Sequence, residues 1–595
     1  MESMAHARCA KKIALADLAL PILEERRPVI RKSKAGPRRA LVLLLVQALI
    51  AVHIAHWMAG GKTMSPLEPS ESMQFSQASV VNAGLIFFVL SIGSTLVFGR
   101  WFCGWACHVV ALQDGSRWLL EKIGIRPRMV NLGILGLVPW AAFTYMFLAP
   151  IVQRALHAVP PPEATVHLTT QNFWATFPSW PVALATFVVC GFVVVYLLGS
   201  KGFCNYGCPY GAIFGIADQL APMRIRVSDA CDGCGHCTAV CTSNVRVHQE
   251  VRDFGAVVDA GCMKCLDCVS VCPKDALSVG FGAPAIATAR RAGKTAARAP
   301  FLERLGDVAL PAAFFAGAYA VFLDFDTDLE RIPNATRLVA VLTLGSVAVA
   351  TLFRGKAQRT REYSRPEEAL LGGFFLFAMY SFRGFHGRVP LLFALGLSAI
   401  LSYVALQGLR LFTHRDLALQ RHALRAGGRW TAAGTLFAGA LLPLGAAWSY
   451  AGWSRHALRT SYDQGLRLAT EGRLEPAIAA LERAVGQDPG YRDAQEKLAS
   501  LLCDAGRLEE GVAAYRAAVA KNPERPETRV FLGSALFQLG DSKGARAELE
   551  HAVALAPNNA RLHRMLAELC GATGDEAAAR EHEATADRLE AKSGR

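Results

Sequence analysis

Eight cysteines fall in two runs, Cys231-x2-Cys234-x2-Cys237-x3-Cys241 and Cys262-x2-Cys265-x2-Cys268-x3-Cys272-Pro273. A cubane [4Fe–4S] cluster needs four thiolates converging on one small object, and x2 spacing lets a short loop supply three of them. The fourth cysteine of each run is carried off by the turn that follows and reaches the other cluster. The expected ligand sets are Cys231, Cys234, Cys237 and Cys272 for cluster one, and Cys262, Cys265, Cys268 and Cys241 for cluster two. A structural zinc site needs only four ligands, so eight thiols in doubled register favour two [4Fe–4S] clusters. The chemistry is one-electron transfer. Such clusters span about −700 to +450 mV, so the ligands alone do not set its direction.

Two further pairs share one pattern. Cys103-Gly-Trp-Ala-Cys107-His108 and Cys204-Asn-Tyr-Gly-Cys208-Pro209 are both x3 spaced, and each follows an apolar stretch directly. On a helix, positions i and i+4 share a face. The pairs would then offer four thiolates, Cys103, Cys107, Cys204 and Cys208, to a further iron–sulfur centre at a membrane edge. The competing reading is redox-inert structural thiols. A haem c site is disfavoured, because its signature is C-x-x-C-H.

The elements that position these groups are read from hydropathy. Mean hydropathy over the 595 residues is +0.26. Apolar stretches at 39–59, 80–98, 130–151, 181–199, 306–323, 336–353 and 430–451 approach or pass the roughly 18–20 residues that cross a bilayer. The stretch 368–412 adds two more, broken near Arg383–Arg388, unless its short first half is re-entrant. No cleavage site follows the first stretch, so 39–59 is expected to stay as an anchor.

The net charge of +14 is uneven: residues 455–595 carry 20 Lys+Arg against 22 Asp+Glu. The excess lies in segments 8–39, 100–128, 286–304, 354–365 and 410–429, alternating with loops poor in Lys and Arg. That pattern is an orientation signal, not a nucleic-acid footprint, and it puts the basic segments and residues 224–285 in the cytoplasm. Disulfides are rare there. Cys9, Cys190, Cys503 and Cys570 read as small hydrophobes. His53 and His56, near the outer end of the first span, are either ligands for haem or quinol or wet interfacial histidines.

The last 140 or so residues repeat. Gly472, Gly506, Gly540 and Gly574 are 34 apart, as are Pro489, Pro523 and Pro557, and Ala477, Gly511, Ala545 and Ala579. Thirty-four is the tetratricopeptide length, and each helix pair buries its apolar face only by stacking on the next. Leu481, Tyr515 and Leu549 fill the large position. Four repeats make a groove for a protein partner.

The order of motifs, with "RWFCGWACHVVALQD", two spans, "KGFCNYGCPYGAIFGIAD" and then the paired cysteine runs, resembles a family. It is that of the membrane polyferredoxins found with periplasmic nitrate reductase and as regulators of nitrous-oxide reductase, and of related cytochrome-oxidase-assembly ferredoxins. The resemblance covers about residues 38–285. It implies a four-span core with cytoplasmic C-x3-C-P motifs, matched at Cys103 and Cys107 and at Cys204, Cys208 and Pro209. It also implies electron flow from quinol, or across the membrane toward a periplasmic enzyme. His108 stands where the family has Pro, and Thr242 replaces the Pro after the first run.

The expected fold is mainly α: a polytopic α-helical membrane protein with an inserted α+β ferredoxin module and a C-terminal tetratricopeptide solenoid. The segments are a basic tail 1–38, a four-span core 39–223, the ferredoxin domain 224–285, a linker 286–304, a second membrane block 305–453 and the repeats 455–595. The expected function is electron relay in the bacterial inner membrane between the quinone pool or a cytoplasmic donor and a partner oxidoreductase. It is a component of an oxidoreductase system, not a stand-alone enzyme. With nine crossings the repeats are periplasmic, with eight cytoplasmic; the basic 410–429 segment favours nine. The rival is a redox-sensing assembly or regulatory protein that recruits a client through its repeats. Anaerobically purified protein is expected to hold about eight iron atoms, and about twelve if the C-x3-C pairs bind a centre. An iron content of four or fewer contradicts the paired assignment.

Overall fold

The computed structural model describes residues 31–128, 130–170, 173, 180–288, 301–326, 335–353, 362–385, 389–489, 491–521, 525–557 and 559–593. Cys9, most of the 286–304 linker, His386 and Arg388 lie outside them. The chain divides into two compact units, residues 1–379 with 391–443, and 380–390 with 444–595.

In the first unit, Ala35–Gly60 is a 26-residue helix that ends at Gly61 in the left-handed region. At 1.5 Å per residue it is long enough for a hydrocarbon core of about 30 Å. Leu41 and Leu44 are 70% and 67% exposed, a cost in water that lipid removes. Among the described residues, seven helices are long and apolar enough to cross a membrane: Ala35–Gly60, Gly133–Leu156, Trp180–Leu198, Leu305–Asp324, Ala335–Phe353, Leu391–Thr413 and Ala432–Thr470. The expected span 80–98 begins as a strand, Val80–Asn82, and becomes a 16-residue helix, Ala83–Phe98, capped where the Asn82 side chain accepts from Leu85 N. The stretch 368–412 is broken as expected. Helix Arg365–Phe382 ends before Gly384, and Leu391–Thr413 follows.

Residues 223–281 form the inserted α+β module. Its strands, Met223–Val227 and Leu277–Phe281, pair antiparallel from Met223↔Phe281 to Val227↔Leu277. Ile225, Val245, Val247, Val251, Val257 and Leu277 make its core, with Cys262 and Cys268 among them. Such a small core buries little, so the module leans on what surrounds it.

Segment 410–429, read as a basic loop, is instead the end of a helix followed by a three-stranded meander, Leu417–Leu419, His422–Ala426 and Arg429–Trp430. The missed signal is Gly427-Gly428, both at positive φ, a two-residue hairpin turn that glycine accommodates without strain. Gln420 at the other turn bonds to Arg128 N and Leu197 O, which ties the meander to the end of Trp180–Leu198.

The second unit contains the repeats. Helix Ala432–Thr470 carries both the last apolar stretch and the first repeat helix, with no linker near 454. The helices Leu474–Gln487, Arg492–Asp504, Leu508–Lys521, Pro526–Gln538, Ser542–Leu555, Ala560–Ala572 and Glu576–Ser593 follow. The four period glycines all have φ between 75° and 89° at the turns. Ala477 and Ala545 are fully buried, and a Cβ on Gly511 would collide with Cys503 Sγ, so small residues there permit close helix approach. Cys570 lies in the core and Cys503 packs against it, as small hydrophobes do. Leu549→Ala is expected to cost about 2–5 kcal/mol, seen as lost hydrogen-exchange protection across helices Pro526–Gln538 to Ala560–Ala572. Unchanged protection contradicts the packing described.

Candidate iron–sulfur sites

Each cysteine run curls through positive φ. In the first, Gly233 and Gly235 take φ of 76° and 74°; in the second, Lys264 and Leu266 take 50° and 65°. A short helix then carries the third cysteine, Cys237 on His236–Ala239 and Cys268 on Asp267–Ser270. A cavity is lined by Cys231, Cys234, Cys237 and Cys272, with Gly233, Gly235, Val251 and Leu277. Three of these thiols come from the first run and the fourth, Cys272, from the second. On the other side, Cys241 lies near Cys262 and Cys265, and these three lie near Cys268.

Burial pushes the Cys237 thiol up to about 12, and neighbouring Cys234 and Cys231 add to the shift. Burial likewise raises Cys265 to about 11. Such thiols give up protons to a cation that replaces them. Among the described residues, no three His, Cys, Asp or Glu side chains close on a single-ion site. Four sulfurs around one cavity are the donors a cubane takes.

The C-x3-C pairs depart from one expectation. Cys103 sits on the short helix Trp101–Trp105, but Cys107 lies past its end and caps His108–Lys122. Cys204 lies on Gly202–Tyr206, and Cys208 beyond it precedes Tyr210–Leu220. The thiols therefore do not share one helical face, because the backbone leaves helical geometry at Ala106 and Gly207. They converge nonetheless. Burial pushes Cys107 up to about 12, with Cys204 and Cys103 adding to it. Cys208 is raised by burial and then by Cys204, Cys107 and Cys103. The Gln113 side chain donates to Cys204 Sγ at 3.1 Å. His108 is itself the first residue of its helix, whereas Pro209 caps a helix that starts at Tyr210.

Buried charge joins these pairs to the second run. Asp218, fully buried, accepts from Lys264 Nζ at 2.7 Å, Arg100 N at 3.0 Å and Arg224 Nη1 at 3.3 Å. Arg39 donates to Asp267 Oδ2 at 2.7 Å and lies 3.4 Å from Asp114, which also pairs with Lys201. Ser33 Oγ donates to Asp267 Oδ1. The loop Cys262–Cys268 is thus held at Lys264 and at Asp267. Trp105, between Cys103 and Cys107, donates its indole N–H to Lys264 O at 2.9 Å. Gly104 lies so close that a Cβ would collide with the Met263 carbonyl oxygen. Sequence reasoning missed Arg39, Asp114, Lys201, Asp218 and Lys264; only the charge density flanking the cysteines hinted at them.

His53 Nε2 lies 3.0 Å from Met64 O, and His56 Nδ1 lies 3.0 Å from Thr63 Oγ1. Cys190 packs in a helix, facing Gly396.

Sequence comparisons agree with this layout. A 4Fe-4S binding domain model matches residues 82–126 and 180–228, once around each C-x3-C pair. A 4Fe-4S dicluster domain model matches 230–277, and a tetratricopeptide repeat model matches 468–527 and 504–569. YccM of Escherichia coli is 24% identical over 39% of this chain and 71% of its own length. The ferredoxin-type protein NapH of Haemophilus influenzae is 28% identical over 32% of this chain and 63% of its own. The methylamine utilization ferredoxin-type protein MauN of Methylorubrum extorquens is 25% identical over 32% and 65%. The chain therefore spans just under two thirds of the last two. A solved structure of MamA from Desulfovibrio magneticus is 21% identical, covering 24% of this chain and 82% of that one at a TM-score of 0.22. The chain joins 4Fe-4S binding and dicluster domains to tetratricopeptide repeats, and it is an iron–sulfur electron-transfer protein.

Gly104→Ala is expected to force the Cys262–Cys265 loop away at a cost of about 1–3 kcal/mol. Gly115→Ala, in the same region with nothing within 4 Å of its Cβ, serves as control and is expected to be neutral or stabilising. Hydrogen exchange at residues 101–107 reads both; equal behaviour of the two variants contradicts the packing.

Proposed function

We propose that this polyferredoxin passes electrons between its inserted module and the membrane edge, and that its repeats hold the protein partner served. The observation that carries the proposal is the seat of Gly104 on the Met263 carbonyl. It brings the segment between Cys103 and Cys107 against the loop between Cys262 and Cys265.

The ligand assignment follows the cysteine geometry. Cys231, Cys234, Cys237 and Cys272 hold cluster one; Cys262, Cys265, Cys268 and Cys241 hold cluster two; Cys103, Cys107, Cys204 and Cys208 hold a third centre. When bound, these clusters supply one-electron carriers whose potentials depend on local charge, hydrogen bonds and solvent exposure. The protein's own part is to fix the loops and exclude water. Lys264, Asp218, Arg224 and Arg100 do so from one side, and Arg39 with Asp267 from the other.

A cavity of about 730 Å³ opens beside Cys204, Arg100 and Tyr206, and Gly133, Leu137 and Trp140 contribute to its wall. Trp140 Nε1 is buried there without a hydrogen-bond partner. Much of the remaining wall is charged, with Arg246, Glu250, Asp253, Asp259, Glu362 and Glu368. Only the end at Trp140 and Tyr206, beside Cys204, offers the aromatic surface a quinol ring would use, and that end supports the quinone pool as donor or acceptor. The basic segments favour a cytoplasmic module, and nine crossings favour periplasmic repeats. The four repeats also favour a second reading, in which the clusters report redox state and the repeats recruit a client for assembly.

Sealed membrane vesicles of both orientations test these readings together. Cys103→Ala with Cys204→Ala is expected to leave the iron of the paired runs, about eight atoms, and to stop exchange with a soluble quinol. Protease is expected to reach the repeats only in right-side-out vesicles. An unchanged exchange rate refutes the role of the pairs. No exchange in the unsubstituted protein with any quinol refutes the quinone reading and leaves the redox-reporting one.

A further inference from the structure

The two cysteine loops have the same shape but not the same residues. Where the first run has Gly233, the second has Lys264, and both backbones lie at positive φ. Glycine takes that conformation freely, and a lysine there is strained. The strained residue is the one that reaches out of the module. Its ammonium is 2.7 Å from Asp218 Oδ1, with both side chains almost wholly buried. Its stem passes over Gly99, where a Cβ would lie 2.7 Å from Lys264 Cε. Its carbonyl accepts from the Trp105 indole.

Lys264 is the nearest cation to Asp218 but not its only partner. Arg224 and the Arg100 backbone N–H already serve that carboxylate. Nor does the loop need a side chain to form, since the first run makes the same turn with glycine. The side chain's remaining role is to tie the Cys262–Cys265 loop to the segment after helix Ala83–Phe98.

We infer that Lys264 is a positioning residue. It exchanges the relaxed glycine of the first loop for a tether that holds the second loop in register with Cys103 and Cys107. The inference rests on the electron-relay reading for its purpose, though not for its geometry. It makes the two runs unequal in one respect: Lys264 fastens the loop of Cys262–Cys268 to Asp218, and Gly233 at the same place in the first loop has no side chain to do so.

Lys264→Gly in the full chain is the direct test, because it relieves the backbone and leaves Asp218 paired. The iron of the paired runs is expected to stay. Hydrogen exchange at residues 99–107 is expected to rise, and electron exchange between module and membrane edge to slow about tenfold or more. Lys264→Arg is expected to restore both, which a general loss of stability would not allow. Unchanged hydrogen exchange in Lys264→Gly overturns the tether. Raised hydrogen exchange with an unchanged transfer rate overturns its positioning role. Absence of transfer in the unsubstituted protein sinks the relay reading alone, and the hydrogen-exchange comparison still decides the tether.

Discussion

Asp218 is a carboxylate with no access to solvent, set between a membrane-edge turn and an iron–sulfur loop. Lys264 and Arg224 pair with it and the Arg100 backbone caps it. Burying such charges costs several kcal/mol per ion before their attraction offsets it. Removing one partner from such a group is costly, typically about 3–5 kcal/mol where a charge is left alone. The group therefore fixes a geometry more than it adds net stability. The short distance between the Cys103 segment and the Met263 carbonyl depends on that geometry, as does any electronic contact between the two sites.

A second constraint is the small size of the module. Its core is six aliphatic residues and two cysteines, small enough that attachments outside the module add to its rigidity. The membrane core supplies these, through Arg39 on the first helix and Asp218 on Tyr210–Leu220. A soluble ferredoxin has no such neighbour. The proposed relay would use this fastened side for exchange with the C-x3-C pairs.

Much of this was legible in the sequence because metal ligands and repeats obey spacing rules. The x2-x2-x3 pattern put Cys272 with Cys231, Cys234 and Cys237, and those four line one cavity. The period-34 glycines found every repeat turn. The convergence of Cys103, Cys107, Cys204 and Cys208 was anticipated, though on the wrong geometry, since a helix break separates the members of each pair. What stayed hidden depends on distant residues meeting. Asp218 and Lys264 are 46 positions apart, and Arg39 and Asp267 are 228 apart. No local period marks such pairs. The Gly427-Gly428 hairpin was hidden for another reason: its flanking strands, His422–Ala426 and Arg429–Trp430, are too short to show an alternating pattern.

The central claim is that the C-x3-C pairs hold a centre within electronic reach of the Cys262–Cys268 loop. Electron paramagnetic resonance of the fully reduced protein tests it most directly. The account predicts a magnetic interaction between a third iron–sulfur signal and one of the two module clusters, lost when Cys103 and Cys107 are both replaced by alanine. A spectrum of two mutually coupled clusters alone, unchanged by that replacement, would contradict it.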